Sequence, residues 1–154
     1  MKKRILAALL ATVLAVVTLI GCQGGVASTG SVKIVIERME NDYAVYEVEL
    51  DKLENRSEGG ISVLEYLKNN TKTRFSYEVD NGMIMAIDLI APSQSNEYIA
   101  IYTNNKKDFA TPTAYFPTVP TVEYEGESLT SSGFGISSMH IEDKTVILFR
   151  IESF

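Results

Sequence analysis

Residues 61–67 read ISVLEYL, the clearest helical pattern in a sequence that is otherwise rich in strand patterns. Apolar side chains at helical spacing share one face that would pack on a sheet, namely those of Ile61, Leu64 and Leu67. Ser62 and Glu65 stand three residues apart, which predicts a capping box at the start of the helix. Asn69-Asn70 predicts its end, because asparagine tolerates the left-handed conformation that closes many helices.

Strand patterns lie on both sides of this helix. Residues 32–39 and 43–51 alternate apolar and polar side chains around a short turn, which predicts a hairpin with one face in water. Further strand patterns follow the helix, at positions 75–79, 83–90, 98–103, 122–124 and 145–151. The Asn-Gly pair at 81–82 is a strong hairpin signal. Because residues 83–90 are apolar on nearly both faces, we expect a central, covered strand there.

The N-terminal segment predicts export. Lys2, Lys3 and Arg4 precede an almost unbroken apolar run at positions 5–20, which is the layout of a secretory signal peptide. The run is short for a membrane span, which needs about 18–20 apolar residues. A buried hydrophobic helix or a short anchor helix is the alternative interpretation.

The apolar run ends in Leu19-Ile20-Gly21-Cys22, which resembles the lipobox of bacterial lipoproteins. In that family the cysteine sulfur receives a diacylglyceryl lipid, and the chain is cut just before the cysteine. The resemblance implies a signal peptide at residues 1–21, a lipidated Cys22, and a domain anchored to the cell membrane on its extracytoplasmic side. Cys22 is the only cysteine of the chain, so no disulfide is expected.

The order of elements predicts the fold class. A strand hairpin, then a helix, then several strands indicate an α+β fold. A single short helix that crosses one mixed sheet is the β-grasp pattern, so we expect a β-grasp-like single domain over residues 32–154. Small and polar residues fill the segment between the cysteine and this domain, and we expect residues 22–31 to be a flexible tether.

The charge of the chain limits its partners. There are 14 basic and 20 acidic residues, and three of the basic ones lie in the leader, which leaves 11 against 20 and a net charge of −9. An acidic chain argues against nucleic acid and against direct adhesion to anionic lipid, since both favour positive surfaces. The expected partners are therefore the membrane, through the lipid anchor, and a small-molecule ligand or an extracytoplasmic protein.

Four short pieces of the sequence carry a resemblance to a known family. They are SVLEYL at 62–67, the hairpin at 77–87, the strand YIAIYTN at 98–104 and the closing pair at 135–149. Through them the chain resembles a bacterial domain family of unknown function, related to the C-terminal β-domain of transcobalamin and intrinsic factor. Many members look like surface lipoproteins. The resemblance implies a β-grasp-like binding domain, with corrinoids as the known ligand class among the vertebrate relatives.

Catalytic motifs are missing from the sequence. His140 is the only histidine, so a catalytic triad or a metal site has at most one imidazole available, and we expect an ordinary strand histidine. There is no Gly-x-Ser-x-Gly, Walker or dinucleotide-binding glycine pattern. We therefore predict no catalytic residue, no metal site and no cofactor, in a protein that is not an enzyme.

Carboxylates leave one alternative to this prediction. Glu123, Glu125 and Glu127 would share a face if one strand ran through all three, where they would bind calcium or would charge a solvated edge strand. An enzyme with an unrecognised carboxylate site is also possible in principle. It needs two of four acidic residues to converge in a cleft, namely two of Glu123, Glu125, Asp88 and Asp108.

The proline-containing segment 104–120 and its flanks form the best candidate binding surface. Flat aromatic rings there suit a planar ligand or a protein partner, and the alternative is that the rings fold back over the sheet. The predicted ligand-binding residues are Tyr102, Tyr115, Phe116, Tyr124 and Gly133. We expect a membrane-anchored module that binds a corrinoid-like or other planar small molecule, or alternatively a protein-interaction or scaffold module at the cell surface.

Overall fold

The computed structural model describes residues 25–70 and 74–154. The predicted signal peptide at 1–21 and the predicted lipidation site at Cys22 lie outside the described residues. Within the described ranges, no helix combines the length and the apolar character needed to cross a membrane. These ranges form a small domain of mixed helix and sheet, in which one helix accompanies a curled, mostly stranded sheet.

The regular elements of the described residues are one α-helix, eight strands and four short 3-10 turns. The strands are β1 (Ser31–Met39), β2 (Asp42–Glu49), β3 (Tyr77–Asp80), β4 (Met83–Ile87), β5 (Glu97–Thr103), β6 (Thr121–Tyr124), β7 (Glu127–Ser131) and β8 (Thr145–Ser153), and the helix is α1 (Gly60–Asn70). The 3-10 turns are Leu50–Lys52, Arg56–Glu58, Lys106–Asp108 and Ile136–Ser138. One short helix among many strands agrees with the predicted mixture of helix and sheet.

Six strands form one sheet, and two form another. The large sheet has the order β2-β1-β8-β5-β7-β6, and β3 pairs with β4 in a separate hairpin. At the centre of the large sheet β1 and β8 run parallel, while the other pairings are antiparallel. The sheet curls until its edges meet. Tyr43 of β2 and Tyr124 of β6 contact each other with ring centroids 5.1 Å apart.

The curl gives the large sheet two buried faces. One face packs against α1 and the β3–β4 hairpin, and this main core includes Ile34 and Leu64. The other face encloses a smaller core that includes Val35 and Leu129. Because both faces are covered, the central strands β1 and β8 contain runs of buried residues rather than a strict alternation. The predicted wet face is found on the edge strand β2, where exposed positions recur along the strand.

The helix lies where it was predicted, but the predicted capping box is wrong. α1 begins two residues before Ser62, which is buried in the first turn. The Ser62 hydroxyl lies 2.6 Å from the Asn55 carbonyl oxygen and 2.8 Å from the Gly59 carbonyl oxygen, so it donates to the preceding loop. Glu65 accepts a hydrogen bond from the Tyr77 hydroxyl at 2.5 Å. Both side chains therefore tie the helix to neighbouring segments instead of to its own N-terminus.

The buried face of α1 is turned slightly from the predicted one. Leu64 and Leu67 are buried as expected, but Val63 is fully buried and Ile61 only half-buried. This face packs on the main core and also meets the 3-10 turn Ile136–Ser138, which carries the fully buried Ile136. Val63 therefore belongs to the main core together with Leu64 and Leu67.

The β3–β4 hairpin confirms one prediction and overturns another. Asn81 and Gly82 form its turn with φ angles of 48° and 83°, as the Asn-Gly signal predicts. The prediction of a central, covered strand at 83–90 is wrong, because β4 ends at Ile87 and pairs with β3 outside the large sheet. Met83 is 64% exposed, and Met85 is exposed as well. The apolar composition of residues 83–90 therefore predicted a core strand, although two methionines of this run face outward.

The three glutamates around residue 125 do not share a strand face. β6 ends at Tyr124, and Glu125 and Gly126 form a hairpin turn with φ angles of 50° and 79°. Glu125 pairs with Lys33 at 3.0 Å, whereas Glu127 accepts a hydrogen bond from the Asn104 amide at 2.9 Å. β7, which follows this turn, has no counterpart among the predicted strands.

Residues 25–30 lie against the domain, although they fall in the predicted tether. The Ala27 N–H donates to the Ile141 carbonyl at 2.7 Å, and the Ile141 N–H donates to the Gly25 carbonyl at 2.8 Å. Val26 and Ala27 pack against the main core. The segment between Cys22 and the first docked residue is therefore only residues 23–24 of the sequence.

Candidate functional site

Two of the five predicted ligand-binding residues are buried. Tyr102 and Tyr124 lie in the smaller core, and neither ring presents a face to a ligand in solution. The Tyr102 hydroxyl donates to Glu152 Oε1 at 2.6 Å. Burial raises the pKa of Tyr102 well above its usual range, and the neighbouring Glu152 carboxylate raises it further. For these two residues, the alternative that the rings cover the sheet is the one observed.

Two other predicted residues form an exposed tip. Tyr115 and Phe116, which we call the aromatic tip, are 90% and 75% exposed. Their turn is closed by two hydrogen bonds: Thr113 N–H donates to the Phe116 carbonyl at 2.9 Å, and Phe116 N–H donates to Thr113 Oγ1 at 3.1 Å. Pro112 and Pro117 flank the turn and fix φ on either side. A preformed turn therefore holds two large rings in water.

Gly133, the fifth predicted residue, lies at a close crossing of two loops. Its N–H donates to the Asp108 carbonyl at 2.9 Å. A Cβ added at this position would lie 3.0 Å from Ala110 Cα, so the two loops leave little room for a side chain. The structure therefore places Gly133 in the scaffold around Asp108, two residues after Ser131, which pairs with the buried Tyr102.

The two loops also bring together an unpredicted pair, Asp108 and His140. The Asp108 side chain is fully buried, with Oδ1 2.7 Å from His140 Nδ1. Its Oδ2 accepts the His140 backbone N–H at 2.9 Å. In a neutral imidazole whose Nδ1–H donates to a carboxylate, Nε2 carries the lone pair. The His140 side chain is 30% exposed, and among the described residues Nε2 has no hydrogen-bond partner.

Backbone and amide contacts hold the Asp108–His140 pair in place. Asn105 Oδ1 accepts from the Lys107 N–H at 3.1 Å and so caps the 3-10 turn that carries Asp108. The Nδ2 group of Asn105 donates to the His140 carbonyl at 2.9 Å. His140 thus lies in a loop bonded to a second loop, and the prediction of an ordinary strand histidine is wrong.

One apolar ring lies beside the imidazole. Phe134 is 45% exposed, and its ring centroid is 6.5 Å from that of His140, with an angle of 81° between the planes. A Cβ added at Gly135 would lie 2.6 Å from the Gly82 carbonyl oxygen, so this loop touches the tip of the β3–β4 hairpin. The exposed Met83 begins β4 at that tip. The loop before His140 is therefore held against the tip of the β3–β4 hairpin.

Lysines lie along the same loops. A groove of about 400 Å³ is lined by residues 104–107 and 142–145, and it contains Lys106, Lys107 and Lys144. Lys107 forms an ion pair with Glu142, whereas Lys106 and Lys144 make no ion pair with any residue in the described part of the chain. Glu142 and Asp143 line the same groove, so it carries charges of both signs.

The acidic residues considered as an alternative site have separate partners for the most part. Asp88 pairs with Arg38 at 2.5 Å, and Asp108 with His140. Glu123 and Glu125 share a surface groove of about 490 Å³ between the edges of β2 and β6. The hydrogen bond from Lys33 is the main reason why the pKa of Glu125 is lowered. That carboxylate is thus already held by a cation.

A further groove, of about 620 Å³, runs along α1. It is lined mainly by polar side chains, namely those of Lys52, Glu54, Asn55, Glu58, Ser62, Glu65, Tyr66, Asn69 and Asn70. None of the predicted ligand-binding residues lines it.

A scan against models of protein families gives no match to this chain, and a search of curated proteins gives none either.

Proposed function

We propose that this chain is an exported lipoprotein, anchored to the membrane through Cys22, whose domain binds a protein partner outside the cytoplasm. The leader and the lipobox-like LIGC support the anchoring. The aromatic tip carries the proposal for the partner: two rings stand in water on a turn closed by two hydrogen bonds. The domain is neither an enzyme nor a carrier of a cofactor in this proposal.

The energetics favour a protein partner for the aromatic tip. Tyrosine and phenylalanine side chains bury roughly 150–250 Å² each when they enter a pocket. Aromatic residues of this kind often act as hot spots, which cost about 2–4 kcal/mol when truncated. Because the turn is preformed, little ordering entropy is lost on binding. The net charge of −9 favours a partner whose pocket is surrounded by basic residues.

The sheet topology supports a β-grasp-like assignment. The chain opens with the β1–β2 hairpin, continues through α1, and ends in β8, which runs parallel to β1 at the sheet centre. β5 completes this arrangement on the other side of β8, and the β6–β7 hairpin extends it. In this proposal the chain is a variant of the transcobalamin-like domain that its motifs resemble, with segment 104–120 as its own addition.

Crosslinking on intact cells tests the proposed function. The full chain is expressed with a photoreactive group at the exposed Ala114, and crosslinked partners are identified in the wild type and in a Tyr115→Ala/Phe116→Ala variant. We expect one reproducible protein partner that is reduced at least 30-fold in the variant, which corresponds to about 2 kcal/mol. Phe154→Ala, which removes another exposed aromatic ring, serves as the matched control.

Three results would count against this proposal. A partner that is captured equally by the wild type and the double variant would show that the tip is not the contact. Absence of any reproducible partner, together with a planar small molecule retained by the full chain in native mass spectrometry, would favour the small-molecule module, with corrinoids as the first class to test. A chain that fails to reach the membrane fraction when Cys22 is intact would remove the lipid anchor.

A further inference from the structure

We propose that the outer edge of β2 accepts an extended peptide, rich in lysine or arginine, as an added strand in the groove between β2 and β6. The proposal rests on different residues from the aromatic tip, and it does not depend on the partner proposed for that tip.

The large sheet remains open between its two edge strands. β2 and β6 stand at opposite ends of the strand order and do not pair with each other. The curl of the sheet brings them together at Tyr43 and Tyr124, and a groove of about 490 Å³ lies there between residues 41–45 and 123–125. Two strand edges therefore line one groove.

The backbone of β2 has unused hydrogen-bonding groups on the side of this groove. The Leu50 N–H donates to the Gly30 carbonyl, which continues the β1–β2 ladder and fixes its phase. Alternate residues of an antiparallel strand point their N–H and C=O groups away from the partner strand. In β2 these residues are Tyr43, Val45 and Glu47. Within the described part of the chain, their outward backbone groups make no hydrogen bond.

β6 presents the same kind of edge across the groove. The Ser131 N–H donates to the Pro120 carbonyl, which fixes the phase of the β6–β7 ladder. By the same alternation, Thr121 and Glu123 direct their backbone groups away from β7. An extended backbone in the groove would therefore meet donors and acceptors of β2, with those of β6 opposite. Strand addition of this kind is a recurring way to bind a peptide.

Charge selects the occupant of the groove. The exposed side chains along β2 and around the end of β6 are mostly carboxylates, namely those of Asp42, Glu47, Glu49, Glu123 and Glu125. Lys33 supplies a cation there, and it is already paired with Glu125. Opposite charges on neighbouring strands favour pairing, and like charges disfavour it. The edge therefore suits a strand that carries lysine or arginine, and it repels the β2 edge of a second copy of this chain.

Val45 adds an apolar position to this edge. Its side chain is 46% exposed and lines the groove beside the Tyr43 and Tyr124 rings. Because side chains alternate along an extended strand, a peptide can place an apolar residue on Val45 and basic residues near the carboxylates. The expected occupant thus alternates basic and apolar residues.

Titration with synthetic peptides tests the edge. The full chain in a mild detergent is titrated with a nine-residue peptide of alternating lysine and valine, and calorimetry measures its affinity. We expect one peptide per chain, with slowed amide exchange at Tyr43, Val45 and Glu47. Of the two forms of this peptide that are methylated at alternate backbone nitrogens, at least one should bind more weakly by about 10-fold or more, because it lacks the donors that face β2. A peptide with glutamate in place of lysine should not bind.

Substitutions in the chain separate strand pairing from a general attraction of charges. Val45→Pro removes an outward N–H but none of the β1–β2 ladder bonds, and it should weaken binding of the lysine-valine peptide by about 10-fold or more. Val45→Thr keeps the N–H and should bind like the wild type. Asp42→Lys/Glu123→Lys should lose this peptide and bind the glutamate peptide. Glu54→Lys/Glu58→Lys makes the same change of net charge in the groove along α1, and its affinity should stay within about threefold of the wild type.

Four results would overturn the proposal. The first is no binding of the lysine-valine peptide, and the second is equal binding of this peptide and both of its methylated forms. The third is an equal loss of affinity in the two charge-reversed variants. The fourth is slowed exchange in β2 that depends on the concentration of the chain alone, which would make a second copy the occupant. The Tyr115→Ala/Phe116→Ala variant should bind the peptide like the wild type.

Discussion

Gly59 is a position where both the backbone conformation and a close backbone neighbour require glycine. Its φ of 52° and ψ of −131° lie in a region that only glycine adopts readily. A Cβ here would lie 2.6 Å from the Met139 carbonyl oxygen, so the loop before α1 would have to move away from the His140 loop.

We expect Gly59→Ala to lower the free energy of unfolding by about 2–3 kcal/mol, because backbone strain and a backbone clash act together. Gly126→Ala is the matched control. Gly126 also has a positive φ, of 79°, but no atom lies within 4 Å of an added Cβ. We expect Gly126→Ala to lower the free energy of unfolding by about 1 kcal/mol, because only backbone strain contributes there. Denaturant unfolding measures both variants, and similar losses would mean that the close approach at Gly59 does not matter.

The buried Tyr102 hydroxyl predicts how stability depends on alkaline pH. Its pKa is raised by burial first and by Glu152 second, and that of Tyr77 is raised by burial and Glu65. The unfolded chain ionises its tyrosines near pH 10, so above that pH the native state binds more protons. The stabilisation is complete below about pH 10 and falls as the pH rises, by at most about 1.4 kcal/mol per pH unit for each such group.

Urea unfolding between pH 8 and 11.5 measures this decline. Tyr102→Phe removes one of the raised groups, and the decline above pH 10 should become less steep. Tyr115→Phe removes the hydroxyl of an exposed tyrosine and should keep the wild-type decline. A Tyr102→Phe profile that is parallel to the wild type over the whole range would contradict the prediction.

At the residue scale, the sequence predicted the exposed rings of the loop but not the contacts between distant residues. Tyr115 and Phe116 lie on the proline-flanked loop, as expected. Asp108 belongs to the polar run Asn-Asn-Lys-Lys-Asp, which is typical of an exposed turn, and nothing in that run indicates a histidine 32 positions later. Asn105 was the available signal, because asparagine commonly caps such turns. A cap predicts the turn, but it does not predict which loop lies opposite.

The smaller core depends on the short elements β6 and β7. Leu129 of β7 is fully buried there and packs in the same cluster as Val35 and Tyr102. We expect Leu129→Ala to cost about 2–5 kcal/mol, the usual range for a buried leucine. Leu89→Ala removes an exposed leucine and should stay within about 0.5 kcal/mol of the wild type. Equal costs in thermal or denaturant unfolding would show that the curl of the sheet is not held by this core.

The elements with regular patterns were predictable, and those defined by long-range pairing were not. β1, β5 and β8 have apolar runs of strand length, and the Asn81-Gly82 turn has a local signal. β4 shares the apolar character of the central strands, yet it pairs only locally, because pairing depends on the whole topology. β7 has one buried leucine among polar residues, so its sequence lacks the alternation that predicts a strand.

For the whole molecule, topology predicts the order of local opening. β1 and β8 are bordered on both sides by other strands and are mostly buried. The β3–β4 hairpin is two-stranded and exposes Met83, and the aromatic tip is held by two hydrogen bonds. Native-state hydrogen exchange should show the greatest protection in β1 and β8. The opening free energy should be lower by about 2 kcal/mol in β3–β4 and in segment 112–117. Equal protection throughout would contradict this order.

The docking of Gly25 and Ala27 on Ile141 would limit how far the domain could move from the proposed lipid anchor. Three peptide units join the Cα atoms of Cys22 and Gly25, so these atoms can be at most about 11 Å apart. With a lipid on Cys22, this short connection would keep the domain in a thin layer beside the bilayer. The domain would encounter a partner in the same membrane at a high effective concentration. The anchor would not raise the effective concentration of a partner that is free in the surrounding medium.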